Sequence, residues 1–369
     1  VSTTINADDR RATNPVFNDN RLKLGLFGLN SGQVMTKAPD RYIADWKRSD
    51  ASVKLASDAG LEAIVALITW HQRQFDTFTW CAALGARHPN PAVVATFHVQ
   101  LVHPTFVAKA AATGDHITDG RFCLNVVAGS NSRSYQAFGM EMPDHETRYA
   151  QAAEYMELLK RLWTEDPFDF EGRHFQVFKA ESQPKPVQSL PPIMNAGTSE
   201  RGVLFAAKYA DMVFTHFQED MDSVRAQCAS IKKLAWDEFR RPVQVWTHGY
   251  IVIRDTDAEA EEFLRYFAVE HADQARVAAM IKALSESAYE KIQDSERWKY
   301  QRNWAAGGGV ALVGSPETVA RRMAEFSAAG VDGILLNSIE PESMVSRLTA
   351  DVLPLLEQAG VRKPFRAHY

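Results

Sequence analysis

Apolar runs alternate with segments of helical period along the whole chain. Leu22–Leu29 (LKLGLFGL) reads as a strand and leads into a loop rich in Gly, Asn and Ser. Over Tyr42–Ala59, Ile43, Trp46, Val53, Leu55 and Ala56 recur at roughly helical spacing, and Gly60 supplies a stop. Ala63–Ile68 (AIVALI) is apolar throughout, as in a strand buried on both faces. Phe78–Ala86 predicts a helix and Ala92–Leu101 a third strand. Pro104 stands where the next helix begins, with Phe106–Ile117 carrying it. Phe122–Ala128 (FCLNVVA) is a fourth strand, closed by Gly129. A longer stretch follows, with a strong helix over Glu146–Trp163. Then come strand Pro192–Asn195, helix Glu200–Ala210, strand Met212–Thr215, helix Asp220–Trp236 and strand Val243–Ile253. A charged helical stretch from about Asp257 to Arg302 is too long for a plain strand-to-helix connection. Gly333–Leu336 (GILL) is the last strand and Glu342–Gln358 the last helix.

Strands alternating with helices imply right-handed crossovers and a parallel sheet. Eight such units predict a (β/α)8 TIM barrel with insertions after strands 4 and 7; a doubly wound sheet is the alternative. One domain is expected over residues 1–369, with 257–309 as a lid insertion whose Gly307-Gly308-Gly309 run offers a hinge.

Composition narrows the function classes. The 369 residues hold 41 Lys+Arg and 46 Asp+Glu, a net charge of −5, so no basic excess suggests nucleic acid. No run of 18 or more apolar residues suggests a membrane span. The polar segment from Val1 to Arg10 lacks a signal-peptide core, and a cytoplasmic location is expected. Cys81, Cys123 and Cys228 lie far apart in apolar or helical sequence, which predicts buried free thiols. The 11 histidines are scattered without zinc spacing, so no metal site is expected. There is no G-x-S-x-G, G-x-G-x-x-G or P-loop.

In a barrel, chemistry sits where strands end. There the sequence offers Ile68, Thr69, Trp70 and His71 after strand two, and His98 and His103 after strand three. Asn125 and Ser134 follow with strand four, Gly197 and Ser199 after strand five, and Trp246, His248 and Tyr250 in strand seven. Asn195-Ala196-Gly197-Thr198-Ser199 joins a strand to a helix N-terminus and offers small residues, hydroxyls and N–H groups to an anion. The same residues also make an ordinary helix cap. Arg148-Tyr149, near the start of the insertion helix, adds a charge and a hydroxyl. Phosphate-binding potential without an obvious protein nucleophile points to a cofactor that carries the chemistry.

The ordered motifs His103-Pro104, Ala108-Lys109, Ala112-Thr113, Asp115, Gly120-Arg121-Phe122 and Asn125-Val126-Val127-Ala128-Gly129 are distinctive. So are Glu146-Thr147-Arg148-Tyr149, Phe170-Glu171-Gly172-Arg173-His174-Phe175, the Asn195–Ser199 turn and Ala311-Leu312-Val313-Gly314-Ser315-Pro316-Glu317-Thr318-Val319-Ala320. On these motifs the chain resembles the bacterial-luciferase-like flavin-dependent monooxygenases over nearly its whole length. The likeness is nearest to the subgroup that acts on pyrimidines, dimethylsulfone and alkanesulfonates.

The resemblance implies FMN as FMNH2, O2 as cosubstrate, a separate NAD(P)H-dependent flavin reductase, and a homodimer or homotetramer. It implies flavin contacts at Ile68, Thr69, Asn125, Ser134, Arg148, Tyr149, Gly197 and Ser199, although Thr69 and Ser134 depart from the subgroup's residues. Thr96 and Asn125 match a pair that frames oxygen beside the flavin, which implies flavin-N5 oxygen chemistry beside the usual route. His71 and His248 are candidate proton donors, and Trp70, Phe97, Trp246 and Tyr250 candidate pocket walls or barrel packing. Alkanesulfonate enzymes carry cationic residues where His248, Tyr250 and Ala305 stand, so a neutral, cyclic or heteroatom-containing substrate is expected. A deazaflavin (F420) oxidoreductase of the same fold, or an alkanesulfonate/sulfone monooxygenase, is the alternative.

Overall fold

The computed structural model describes residues 10–70, 72–129, 131–217, 220–284 and 294–366. Eleven strands occur among them: β1 Lys23–Phe27, β2 Ala63–Val65, β3 Ala92–His98, β4 Phe122–Val127, β5 Phe168–Glu171, β6 Gln176–Ala180, β7 Ile193–Asn195, β8 Met212–Phe214, β9 Gln244–Ile253, β10 Val310–Gly314 and β11 Gly333–Asn337. Eight of them close in the order β1-β2-β3-β4-β7-β8-β9-β11, giving the (β/α)8 barrel. The ring pairings with a recorded register are parallel. β2 and β3 are buried at every residue, which is why AIV and AVVATFH read as uninterrupted apolar runs.

Residues gather into two compact units that alternate along the chain. The first holds residues up to Asp19, Glu62–Thr215 and Ser230–Val245; the second holds Asn20–Leu61, His216–Ala229 and the residues from Trp246 on. Ring strands β2, β3, β4, β7 and β8 belong to the first, and β1, β11 and most of β9 to the second.

In the first unit, the insertion after β4 holds a short helix, Ser132–Gln136, the long helix His145–Thr164 and the antiparallel pair β5–β6. The Phe170–Phe175 motif forms this hairpin. Glu154 holds its turn, with Oε1 accepting from the N–H groups of His174 (2.9 Å) and Phe175 (2.7 Å), and Oε2 from Arg173 (3.0 Å).

In the second unit, the charged stretch after β9 is not one helix. It comprises Asp257–Arg265, a π-turn segment Tyr266–Glu270, Gln274–Leu284 and Asp294–Ala305. Thr256 opens it with a capping box, Glu259 reciprocating. The break after Glu270 is fixed by an antiparallel bridge between Thr36 and Ala272. Leu264, Phe267, Val277 and Ile281 pack with Val34, Met35, Tyr250 and Val252 into an apolar cluster. Val310–Gly314, not anticipated as a strand, forms β10 and pairs parallel with Gly249–Ile253 of β9. The first half of β9 pairs with β11 instead, Trp246↔Gly333 through Tyr250↔Asn337. The last helix is likewise split, into Pro341–Arg347, a π-turn segment Leu348–Val352 and Leu353–Gln358.

Helix starts sit a few residues from the positions that periodicity implies, because capping side chains fix them. Asp45 accepts from the Arg48 N–H (3.0 Å) and Asp76 from the Thr79 N–H (2.8 Å), setting Trp46–Asp58 and Thr77–Arg87. The three cysteines are buried and free, as expected. Among the described residues no helix is long and apolar enough to cross a membrane.

Candidate active site

In the first unit, β3 and β4 run in register with Thr96 opposite Asn125, so both side chains share one face. Both are buried. Thr96 Oγ1 donates to the Ala66 carbonyl, which can only accept. The same hydroxyl must therefore accept from Asn125 Nδ2, 3.1 Å away. That chain of roles fixes the Asn125 amide: its nitrogen faces Thr96, and Oδ1 is left as a buried acceptor with no hydrogen-bond partner. This alters the expected role of Thr96. Its only proton goes to Ala66, so it acts through Asn125 and has none to offer a ligand.

Phe97, one residue on, points to the opposite face by the period of two. Its ring lies 6.1 Å from Phe78 and 5.6 Å from Tyr155, both on helices outside the strand. The expectation that Phe97 lines a pocket is therefore corrected: it is helix-facing core.

The strand-to-helix turn Asn195–Ser199 is held by its own side chains. Asn195, the last residue of β7, donates from Nδ2 to the Val126 carbonyl (2.6 Å) and accepts the Gly197 N–H (2.9 Å). Ser199 then caps helix Glu200–Tyr209, its Oγ accepting from the Gly202 N–H (3.1 Å). Added Cβ atoms show how tight the cradle is. One at Gly197 would lie 2.7 Å from Gly202 Cα and 2.9 Å from Tyr149 Oη; one at Gly202 would lie 2.6 Å from that Oη. His145 Nε2 sits 3.2 Å from Ser199 Oγ, and its ring is 4.9 Å from that of Tyr149. Both come from helix His145–Thr164, capped by Asp144. Arg148 is buried, with Nη1 donating to Pro143 O (2.9 Å) and Nε without a partner. Gln100 ties in by donating to the Arg148 carbonyl (3.2 Å) and accepting from Tyr135 (2.9 Å).

Ser134 is buried in helix Ser132–Gln136. Thr69 gives its N–H and hydroxyl to Gln74 Oε1 (3.0 and 2.9 Å), beside half-buried Ile68. Trp70 is exposed and meets Phe138 edge-on at 4.8 Å. His71 lies outside the described residues.

In the second unit, His248 of β9 is buried, its ring 5.1 Å from Phe27 on one side and 5.1 Å from His216 on the other. Burial and the neighbouring His216 lower its pKa to about 3. It is a neutral imidazole at pH 7, with one ring N–H left as a donor. His216, absent from the sequence expectations, is also held neutral by burial. Trp246 is fully buried and fills the space beside Gly333, whose added Cβ would lie 2.3 Å from the indole. Tyr250 sits in the apolar cluster of the insertion. Both act as packing in this structure.

The profile of the luciferase-like monooxygenases matches residues 22–333. An FMNH(2)-dependent dimethylsulfone monooxygenase of Pseudomonas fluorescens is 26% identical over 342 residues, covering 89% of this chain and 92% of that protein. A pyrimidine monooxygenase of Acinetobacter baylyi is 30% identical over 254 residues, covering 65% of this chain and 68% of the other. The crystal structure of a long-chain alkane monooxygenase superposes with a TM-score of 0.84 at 21% identity, covering 94% of this chain and 93% of that one.

Proposed function

Since the chain belongs to the luciferase-like monooxygenase family, we propose that it is an FMNH2-dependent monooxygenase that uses O2 to oxygenate a neutral small molecule. A separate NAD(P)H-dependent flavin reductase supplies the FMNH2. The observation that carries the reading is Asn125 Oδ1, a buried acceptor with no partner whose orientation is fixed through Thr96 and Ala66. Reduced flavin bears an N–H that the oxidised ring lacks, so an acceptor-only atom favours the reduced form. The residues also fit the phosphate end. Gly197 and Gly202 pack backbone against backbone beneath the Tyr149 hydroxyl, with His145 on the Ser199 hydroxyl at the start of helix Glu200–Tyr209, where N–H groups and hydroxyls gather.

When bound, reduced FMN supplies the two electrons that activate O2: FMNH2, O2 and substrate give FMN, water and a product bearing one oxygen atom. The chain binds the phosphate at the turn, orients the ring through Asn125, and excludes water. A neutral His248 offers no charge to an anion, which agrees with a neutral substrate.

The test is an anaerobic titration with FMNH2, FMN and F420, followed by admission of O2 in a stopped-flow instrument. The expected result is FMNH2 affinity at least tenfold above FMN, no F420 binding, and flavin reoxidation that the protein alters. Absence of FMNH2 binding overturns the reading.

A further inference from the structure

His98 closes β3 and is 6% exposed. The faces of β3 are set by its neighbours. A Cβ at Gly85 of helix Thr77–Arg87 would lie 3.2 Å from Val93 Cγ2, so Val93, like Phe97, looks toward the helices. Val94, Thr96 and His98 therefore look into the ring of strands, by the period of two. His98 stands one step beyond the Thr96–Asn125 pair on that face, roughly 7 Å along the strand. Its register partner on β4 is half-buried Val127.

Among the described residues, Nδ1 of this imidazole is buried without a hydrogen-bond partner. Few buried polar atoms are left so. Burial alone lowers the pKa, to about 4, and the ring is neutral at pH 7. Nearby polar groups are engaged elsewhere: Gln100, two residues on, donates to the Arg148 carbonyl (3.2 Å) and accepts from the Tyr135 hydroxyl (2.9 Å). The other inward groups of β3 and β4 differ in kind. Thr96 gives its proton to Ala66. Asn125 Oδ1 accepts a hydrogen bond, but an amide oxygen is too weak a base to carry a proton away. Cys123, beside Val94 at the far end, has a thiol that burial pushes up. Among the described residues of this face, His98 is the one that can take a proton and return it.

We propose that His98 is a catalytic residue, the proton carrier that works beside Asn125. The reaction needs such a group. FMNH2 loses two hydrogens in becoming FMN, and two hydrogens appear in the water formed from the second atom of O2. They start on ring nitrogens, where Asn125 Oδ1 can hold an N–H but not remove its proton. In the tautomer with hydrogen on Nε2, His98 Nδ1 takes one proton from the ring, and the imidazolium hands it to the departing oxygen. The new O–H bond belongs to water when substrate receives the other oxygen atom, and to H2O2 when no substrate is present. The electrons come from the flavin, the imidazole ends neutral as it began, and no further reactant is needed. The inference rests on the monooxygenase reading and adds a residue to that site.

The experiment uses the full chain with FMNH2 and O2, and it needs no substrate. Protein carrying 15N-labelled histidine reports its imidazole nitrogens by NMR. His98 is assigned as the signal lost in His98→Asn or His98→Gln; both are made, since one folded variant suffices. Anaerobic FMNH2 should shift the His98 nitrogens of the wild type, whereas a merely structural histidine would not respond. Both variants keep a neutral hydrogen-bonding side chain that carries no proton, so FMNH2 affinity should stay within about twofold. After O2 is admitted in the stopped-flow instrument, FMN should form about 100-fold more slowly in the variants. Added imidazole should restore their rate and leave the wild type unchanged. Unmoved His98 nitrogens overturn the proposal. So do variants that form FMN at the wild-type rate, and slow variants that imidazole does not restore. In those three cases FMNH2 binding stands, and the monooxygenase reading with it. Wild-type protein that binds no FMNH2 overturns both.

Discussion

Replacing Thr96 with valine tests the relay that sets Asn125. The side chains have nearly the same shape, so the change removes hydrogen bonds with little change in packing. Two buried groups lose their partner: the Ala66 carbonyl and the Asn125 Nδ2 hydrogens. Each unsatisfied group costs roughly 1–3 kcal/mol. The extra methyl returns about 0.8 kcal/mol of apolar burial. The net loss is on the order of 3 kcal/mol. Thr96→Ser keeps both hydrogen bonds, gives up one methyl and should lose only about 1 kcal/mol. Urea unfolding of the three proteins at pH 7, at a common slope, measures the difference. A second readout concerns the cofactor. With the amide unclamped, Asn125 can present either end, so the preference for FMNH2 over FMN should shrink in the Val variant and survive in the Ser variant. A Val variant as stable as the Ser variant, or one that keeps the full redox preference, would refute the relay.

Three further outcomes follow from the geometry. His248 has a folded pKa of about 3 against an ordinary value near 6.5. Its neutral burial therefore costs nothing above about pH 6.5, destabilises the protein increasingly as pH falls, and levels off near 3. Unfolding free energies between pH 4 and 6 should fall by about 1.4 kcal/mol per unit on its account, and His248→Leu should flatten the slope by that much. Gly197→Ala drives a methyl toward Gly202 and the Tyr149 hydroxyl. It should weaken FMN binding by tenfold or more in a fluorescence titration and leave riboflavin, which lacks the phosphate, nearly unchanged. Gly333→Ala collides with the Trp246 indole and should cost about 1–3 kcal/mol by thermal melting, with Trp246→Phe on the same background recovering part of the loss.

The barrel was readable because its strands are buried on both sides, so VVATFH and AIV announce themselves without alternation. That same feature hid direction. In a strand apolar on both faces nothing in the sequence says whether Thr96 or Phe97 looks inward, and only the register with Asn125 decides it. The Asn195–Ser199 turn was legible because it is local: a strand end, two small residues and a capping serine within five positions. The second-unit residue His216 was not, since it belongs to no motif. β10 escaped because VALVG reads as the tail of a charged helical stretch, and its partner in β9 lies about sixty residues earlier. The Tyr266–Glu270 break is tertiary in origin, set by the Thr36 bridge, and helical periodicity alone continues through it.

β9 has a consequence beyond carrying His248. The excursion leaves from its end and comes back as β10 alongside it, with Ile253 directly beside Gly314. A clasp closes the stem. Arg254 N–H donates to the Gly314 carbonyl (3.2 Å), and Asp257 accepts from the Ser315 N–H (2.7 Å) and the Thr318 hydroxyl (3.0 Å). The two ends of a segment more than fifty residues long are thus held about one strand spacing apart. Loop closure grows only slowly with length once the ends are fixed. The excursion thus leaves and returns through one parallel strand pair, so a change of length between the two strands leaves the register of β9 with β11 in place.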